Sequence, residues 1–419
     1  MISRSENIIN YLVVFLVLVV EVSTFFRGID AIGPRGIGVI LVVILLIISF
    51  SRRVELNFSF LYLVILIALL IFIQGVFFGF SVVTVFTYII FGVTISYLTY
   101  KIVGEKIFEY LVDVIFYTSV IATFIWVLQV LIPPVDYFLQ YLRVSTPTPL
   151  VEGQVGSDVN DRVNIALLYT IPHWTQNIFG VEVLRNAGMF HEPGAFAYFI
   201  ILALGLNTII QKSFFNVRNI ILIVVLLTTF STAGYLSLIV LLFYAVMNAN
   251  IYTTVKLVTV PVFIIVAFLS YTQFEFLEEK LQIHYTTQIE GDEVYEGTGG
   301  RIRRVRSAVN LLTTSPFIGR GIITASRDFE LGSPYYFTGA GIWRTLSSYG
   351  ILFAPIIFFL YYMGIRANCN HYQFHKSFAI VFFIAIALGA SSQRFFMDNV
   401  TMILLIHGLI TIADRSSNK

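Results

Sequence analysis

Charged residues are scarce in this 419-residue chain, at 12% of the sequence, whereas hydrophobic residues make up 58%. A soluble domain carries roughly 25% charged residues, so the composition excludes an ordinary water-soluble fold. The net charge of +2 gives no basis for an electrostatic nucleic-acid partner. The composition is that of a polytopic membrane protein, in which each spanning helix needs roughly 20 apolar residues.

Cysteine and the familiar catalytic motifs are also missing or nearly so. The single cysteine, Cys369, excludes an intrachain disulfide and a cysteine metal cluster. The sequence contains no HExxH, CxxC, P-loop or GxSxG pattern, each of which carries a defined chemistry. The sequence therefore predicts neither a metal site nor a cofactor.

Long apolar runs predict an all-α fold with about twelve transmembrane helices. The start, Met1 to Phe26, resembles a signal peptide but has no clear small-residue cleavage site, so a retained first helix is predicted. The runs 220–232 and 235–248 predict either two tilted or half-crossing helices or one tight hairpin. The predicted spans are 8–24, 36–50, 59–76, 82–100, 108–132, 193–210, 220–232, 235–248, 256–272, 341–363, 377–391 and 397–412.

Lysine and arginine are unevenly distributed among the short loops. With the N-terminus inside, the inner segments hold twelve basic residues, and the short outer loops hold Arg27, Arg35 and Arg394. Because basic residues favour the cytoplasmic side, both termini are predicted to be cytoplasmic and the two long loops extracytoplasmic, with short amphipathic helices. The single membrane domain then consists of helices one to five (1–132), a first long loop (133–192), helices six to nine (193–272), a second long loop (273–340) and helices ten to twelve (341–419).

A polar segment precedes the sixth predicted helix. Arg185, His191 and Glu192 lie within eight residues, directly before a long apolar run. Pro193 suits the first helical position, and the residue before a proline avoids the α region, so Glu192 is predicted to lie just outside the helix. The alternative interpretation is a capped helix end with solvated charges.

The second long loop contains an arginine-rich segment, 298–312, that is amphipathic when read at about 100° per residue. Arg301 falls on its apolar face and Arg304 at the edge of that face. A guanidinium on an apolar face is costly unless it meets an anion, and arginine suits phosphate because it donates two parallel hydrogen bonds. The alternatives are that Arg301 snorkels from a surface helix or that the segment rests on anionic lipid headgroups.

Other polar residues are weaker candidates. Arg344 lies among aromatic residues at the predicted outer start of helix ten. Asp398 and Arg394 lie between helices eleven and twelve, where a structural pair is favoured over catalysis. Ser231 and Thr232 lie at an outer turn, where helix capping is the simpler interpretation.

Three short motifs resemble those of the O-antigen polymerase and O-antigen ligase superfamily of bacterial envelope assembly. Residues 185–193, followed by Ala197, are similar to the family's R-x-x-G-x-F-x-E-P and small residue. Gly300-Arg301 followed by 316–321 is similar to a G-R segment that leads to P-L-F-G-x-G. Residues 346–351 resemble the family's L-x-x-x-G-I/L ending. Together the motifs span roughly 180–360.

The resemblance implies a metal-independent glycosyltransferase that acts as an O-antigen or capsule-type polymerase. The donor would be an oligosaccharide on polyprenyl (undecaprenyl) pyrophosphate, and the acceptor a sugar hydroxyl of another lipid-linked repeat unit. The enzyme would lie in the bacterial cytoplasmic membrane with its site on the periplasmic or extracellular side. A chain-length regulator protein is a further expected partner, beside the lipid bilayer.

The resemblance also suggests roles for the charged residues. The leaving pyrophosphate gathers negative charge, which preorganised cations stabilise, and the acceptor hydroxyl must lose a proton to a base. In an alternative, Glu192 instead holds Arg185 in place. The assignments are Glu192 or His191 as base, Arg185, Arg301 and Arg304 on the pyrophosphate, and Arg344, Arg320 and Asp398 as glycan or structural contacts.

The sequence departs from the family pattern at two places, and one of them helps to decide between the polymerase branch and the ligase branch. Val305 replaces a tryptophan that often follows the loop arginine, and Gly339-Ala340 replace the His-Asn pair of the ligase branch. The missing histidine favours the polymerase over a ligase that transfers glycan to lipid A core, unless His284 substitutes for it. A flippase or other transporter is a second alternative, although transporters usually carry ionisable residues near the membrane midplane.

Overall fold

A computed structural model describes residues 4–22, 33–55, 59–78, 92–141, 143–145, 162–164, 167–172, 174–178, 181–249, 308–321, 341–390 and 399–417. Over these residues the protein is mostly helical, in agreement with the predicted class. The predicted site residues Arg301, Arg304 and Asp398 lie outside the described residues, as do the predicted span 256–272 and His284.

The helices follow the apolar runs of the sequence. A 3-10 turn, Gly104–Lys106, joins the fourth helix to the fifth, and a further helical segment covers 308–314. The helices are α1 (Arg4–Val22), α2 (Gly33–Ser51), α3 (Ser59–Phe78), α4 (Ile95–Val103), α5 (Ile107–Leu131), α6 (Pro133–Tyr141), α7 (Pro193–Gln211), α8 (Val217–Thr228), α9 (Thr232–Asn248), α10 (Gly341–His371), α11 (Phe378–Gly389) and α12 (Asn399–Ser417).

Three described helical stretches are long and apolar enough to cross a membrane by length and composition. They are Gly92–Leu131, which contains α4 and α5, and the helices Pro193–Gln211 and Gly341–His371. In the other apolar helices the apolar stretches of described residues are shorter, as with Ser5–Val20 in α1 and Ile37–Ser51 in α2. A membrane protein is therefore supported, while the number of twelve spans stays a prediction.

The first predicted loop contains short strands in addition to α6. Strand β1 (Arg143–Ser145) pairs antiparallel with β2 (Arg162–Asn164), and β3 (Thr175–Ile178) pairs antiparallel with β4 (Val181–Leu184). The all-α prediction omitted these strands, because strands of three or four residues are too short to show an alternating pattern.

Helix α7 forms the centre of the bundle. Its side chains are buried along almost its whole length, and it packs against α5, α8, α9 and α11. A helix that is apolar all round is stable when it is surrounded by other helices. Helix α10 packs most extensively on α12, where a Cβ at Gly364 would lie 1.9 Å from the Leu404 carbonyl oxygen.

Helices α5 and α8 connect two ends of this bundle. At one end Arg218, in the first turn of α8, donates a 2.5 Å hydrogen bond to Asp113 of α5. At the other end Asn186 donates hydrogen bonds to Thr123 of α5 and to Thr228, the last residue of α8. We call these the Asp113 end and the Asn186 end. At 1.5 Å per helical residue they are about 15 Å apart along α8.

Candidate functional site

Asn186 organises the segment that leads into α7. Its amide nitrogen donates to the hydroxyls of Thr123 at 3.1 Å and Thr228 at 3.0 Å, and its amide oxygen accepts from the Gly188 N–H at 2.9 Å. Its own N–H donates to the Thr228 carbonyl at 3.0 Å. The side chain is fully buried, so these bonds fix the segment on α5 and α8.

Gly188 turns the segment back onto α7. Its φ is +58°, a region that favours glycine, and a Cβ would lie 2.8 Å from the Phe196 ring. The Gly188 carbonyl accepts a 2.6 Å hydrogen bond from the Thr170 N–H, and Phe190 stacks on Phe196 with centroids 5.4 Å apart. The glycine of the 185–193 motif therefore has a structural role.

Glu192 lies just outside α7 in an extended conformation, with φ −155° and ψ 156°, and Pro193 begins the helix. This confirms the prediction from the proline. The Glu192 carboxylate makes no capping hydrogen bond to the helix. Its Oε1 lies 3.8 Å from His191 Nε2, and the two side chains are 37% and 24% exposed respectively. A partly open carboxylate–imidazole pair thus stands at a helix N-terminus, whose partial positive charge favours anions.

Arg185 follows strand β4 and is half-buried. Its N–H donates to the Trp174 carbonyl at 2.9 Å, and its Nε donates to the Thr229 carbonyl at 3.2 Å. Trp126 of α5 holds the preceding residue by donating to the Leu184 carbonyl at 3.0 Å. The strand end and the turn after α8 together position the guanidinium.

The turn between α8 and α9 completes the Asn186 end. Ser231 is the N-cap of α9, and its Oγ accepts from the Gly234 N–H at 3.4 Å, which confirms the capping interpretation. A Cβ at Gly234 would lie 2.8 Å from the Ala197 Cβ of α7. The turn therefore packs against the first turns of α7 and separates α8 and α9 as two distinct helices.

Arg320 and Arg344 belong to a second cluster, which surrounds a break in α10. The span 341–363 was predicted as continuous, but Gly350 has non-helical angles of φ 67° and ψ 177°. The Ile351 N–H donates to the Pro316 carbonyl at 2.7 Å, and the Arg320 N–H donates to the Ser347 carbonyl at 2.9 Å. Residues 316–320 thus provide hydrogen-bond partners for backbone groups at the break.

Gln74 of α3 ties the loop segment to the break. Its buried amide nitrogen donates to the carbonyls of Ile318 at 2.7 Å and Ser348 at 2.6 Å. A Cβ at Gly350 would lie 2.2 Å from the Phe317 carbonyl oxygen, so a larger residue does not fit. Residues 316–321 of the second motif and residues 346–351 of the third are therefore parts of one packed unit.

The structure brings together Arg185, His191 and Glu192 at the Asn186 end, whereas Arg320 and Arg344 accompany the α10 break. Among the described residues, no three His, Cys, Asp or Glu side chains meet in a metal-ligating arrangement. Sequence reasoning did not single out Asn186 or Gln74, although a polar side chain within or beside an apolar helix is itself a signal.

Comparisons of the chain with family models, with curated proteins and with solved structures give no match. The resemblance to the polymerase and ligase superfamily therefore rests on the three short motifs.

Proposed function

We propose that this protein is a polysaccharide polymerase of the O-antigen or capsule type. It transfers a glycan from polyprenyl pyrophosphate to a sugar hydroxyl of another lipid-linked repeat unit. The observation that carries the proposal is the placement of Arg185 and the His191–Glu192 pair on a segment fixed by Asn186 at the start of a buried helix. The motif resemblance of 185–193 points to the same chemistry.

The reaction forms one bond and breaks one. The acceptor hydroxyl oxygen attacks the anomeric carbon of the donor glycan, and the bond from that carbon to the pyrophosphate oxygen breaks with its electron pair on the pyrophosphate. Arg185, joined by Arg301 and Arg304, stabilises the negative charge of the leaving group. The N-terminus of α7 adds its partial positive charge.

Glu192 is the proposed base, because its carboxylate is the more exposed member of the pair, at 37% against 24% for His191. It accepts the proton that the attacking hydroxyl loses. His191 is the alternative base, since its Nε2 lies 3.8 Å from Glu192 Oε1 and either group reaches the same acceptor.

The sidedness of the site follows from the basic residues. Lys106 precedes α5, Lys212 follows α7, and Arg218 lies in the first turn of α8, all at the Asp113 end. Helix α7 joins α8 at this end through hydrogen bonds from Asn207 to Asn216 and Asn219. Because basic residues favour the cytoplasm, the Asn186 end faces the periplasm or the exterior, where the lipid-linked glycan is used.

The proposal is tested by reconstitution in lipid with a polyprenyl-pyrophosphate-linked repeat unit, without nucleotide or added metal. A ladder of product lengths that disappears in Arg301→Ala supports a polymerase with a phosphate-binding arginine. A single unchanged band refutes polymerisation of that unit. If glycan then appears on added lipid A core, the protein is a ligase, which is the alternative within the same superfamily.

The break in α10 favours a lipid-linked oligosaccharide flippase as the second candidate. Discontinuous helices are typical of transporters, where they line the substrate path. In vesicles with substrate on one side, a flippase moves the lipid-linked unit to the other leaflet without lengthening it. Product of greater length on the substrate side excludes flipping as the sole activity.

A further inference from the structure

Helix α6 presents an aromatic stripe away from the protein. Pro134, Tyr137, Phe138 and Tyr141 are exposed, and their spacing of i, i+3, i+4 and i+7 places them on one helical face. Tyr137 and Tyr141 are 76% and 86% exposed. Leu139 lies on the opposite, buried face.

Polar contacts fix the orientation of α6 on the protein. The exposure of its aromatic face therefore does not result from loose attachment of the helix. Gln129, near the end of α5, donates to the Asp136 carboxylate at 2.7 Å. The Tyr169 hydroxyl donates to the Gln129 amide oxygen at 2.5 Å. Burial and the neighbouring Asp136 raise the pKa of Tyr169 well above its usual range, so its hydroxyl remains a donor. The polar side of α6 therefore faces the protein.

The exposed face of α6 continues an apolar face of α5. Tyr117, Ile121 and Phe124 are exposed along α5, and the exposed stripe reaches Leu131 and Ile132 immediately before α6. Helix α5 belongs to a stretch long and apolar enough to span a membrane, so its exposed apolar side chains meet lipid. Because the exposed face of α6 continues this side of α5 without interruption, we expect lipid to cover it as well.

We infer that α6 lies in the boundary between lipid headgroups and acyl chains at the Asn186 end, with Tyr137, Phe138 and Tyr141 inserted into the bilayer. Tyrosine suits this depth because its ring is apolar and its hydroxyl polar. A helix with one apolar face and one polar face lies in the interface plane.

This anchor connects directly to the candidate site. Tyr169, bound to Gln129, is followed by Thr170, whose N–H donates to the Gly188 carbonyl at 2.6 Å. Gly188 is in turn held by the Asn186 side chain. The bilayer contact of α6 thereby sets the height of the 185–193 segment above the lipid, independently of the reaction that the segment performs.

The test is a depth measurement by spin labels on single cysteines in the full-length protein, reconstituted in vesicles of phosphatidylethanolamine and phosphatidylglycerol. The labels are placed at Tyr137→Cys, Phe138→Cys and Tyr141→Cys, and collisions with oxygen and with a water-soluble nickel chelate are compared. Cys369 is fully buried, so labelling of the folded wild type gives the background. Phe124→Cys is the lipid-facing control, Glu182→Cys the exposed hairpin control and Leu139→Cys the buried control on α6.

The inference predicts that labels on the stripe meet oxygen several-fold more often, relative to the chelate, than a label at position 182. Their ratio should approach that of position 124. A ratio equal to that of position 182 places the stripe in water, as for a surface that stacks on glycan, and overturns the inference. Low access to both reagents, as expected at position 139, means that protein covers the stripe, and this result also overturns the inference.

Discussion

The two ends of the bundle hold their charged residues differently, and at the Asp113 end the Asp113 carboxylate is paired with Arg218. Asp113 accepts a 2.5 Å hydrogen bond from Arg218 and a 2.6 Å hydrogen bond from the Tyr11 hydroxyl. The Arg218 guanidinium also lies 5.2 Å from the centroid of the Phe116 ring. These contacts are those of a structural ion pair.

The Asn186 end carries its charged residues on the segment that leads into α7. Arg185 donates to the Thr229 carbonyl at 3.2 Å, and Glu192 lies 3.8 Å from His191, beyond hydrogen-bonding distance. A backbone carbonyl thus positions the Arg185 guanidinium, and the Glu192 carboxylate and His191 imidazole are partly exposed. We propose that the Asp113 end has a structural role and that the Asn186 end carries the chemistry.

The variant Arg185→Lys tests the difference between the two ends, and we expect it to have a large effect on activity. Lysine keeps the charge but loses the bidentate fork, so we expect the polymerisation rate to fall about 100- to 1000-fold with little change in melting temperature. The rate is measured as ladder formation per folded molecule. Arg53→Lys, exposed at the Asp113 end, is the matched control. A fall of less than a few-fold for Arg185→Lys removes this residue from the mechanism.

Asn186→Ala tests the scaffold of the same end. It removes the hydrogen bonds to the half-buried Thr123 and Thr228 hydroxyls and leaves the buried Gly188 N–H without its Asn186 partner, and a buried group left unsatisfied costs about 1–3 kcal/mol. We expect a large drop in the unfolding temperature in detergent, together with lower activity. The control is Asn248→Ala, because the exposed Asn248 side chain makes one hydrogen bond, to the Tyr244 carbonyl within α9. Equal stability of the two variants contradicts the role of Asn186.

Arg218→Met tests the Asp113 end. Water reaches both partners, since the Arg218 and Asp113 side chains are 32% and 19% exposed, so we expect a loss of about 1–3 kcal/mol in stability. Activity per folded molecule should be retained, as judged by ladder formation at a temperature well below unfolding. Loss of activity at unchanged stability would show that the Asp113 end takes part in the reaction.

Tyr372→Phe gives the smallest effect, near the Asp113 end. Tyr372, between α10 and α11, donates a 2.9 Å hydrogen bond to Glu109, and burial together with Glu109 raises its pKa. The unfolded chain ionises this tyrosine near pH 10, so its contribution is fully present below that pH and is lost as the pH rises further. Wild type should exceed Tyr372→Phe by about 1 kcal/mol at neutral pH and lose this advantage above about pH 10. A difference that stays constant with pH contradicts the shifted pKa.

Single residues and short patterns predicted the structural features that depend on residues close together in the sequence. Pro193 predicted the start of α7 and the extended Glu192, and Ser231 was recognised as a cap. In the arginine-rich segment, residues 308–314 are helical, with Ala308 and Leu311 buried and Asn310 exposed. Such features follow from backbone sterics and helical periodicity.

Contacts between distant residues could not be predicted in this way. Asn186 meets Thr123 and Thr228 across 63 and 42 positions, and Gln74 reaches Ser348 across 274 positions. The break at Gly350 depends on the same long-range unit, because the loop segment must supply the partners of the interrupted helix. No periodic pattern encodes these pairs, since each depends on how the helices pack.

The most direct test of the central claim is the ladder yield of Glu192→Gln in reconstituted vesicles, normalised to folded protein. Glu55→Gln, an exposed carboxylate of the described chain beyond the end of α2, is the control. If Glu192 is the base, its replacement lowers the rate about 100- to 10,000-fold, and Glu55→Gln behaves as wild type. A Glu192→Gln protein that makes the ladder at a near-normal rate contradicts the assignment of Glu192 as the base at the Asn186 end.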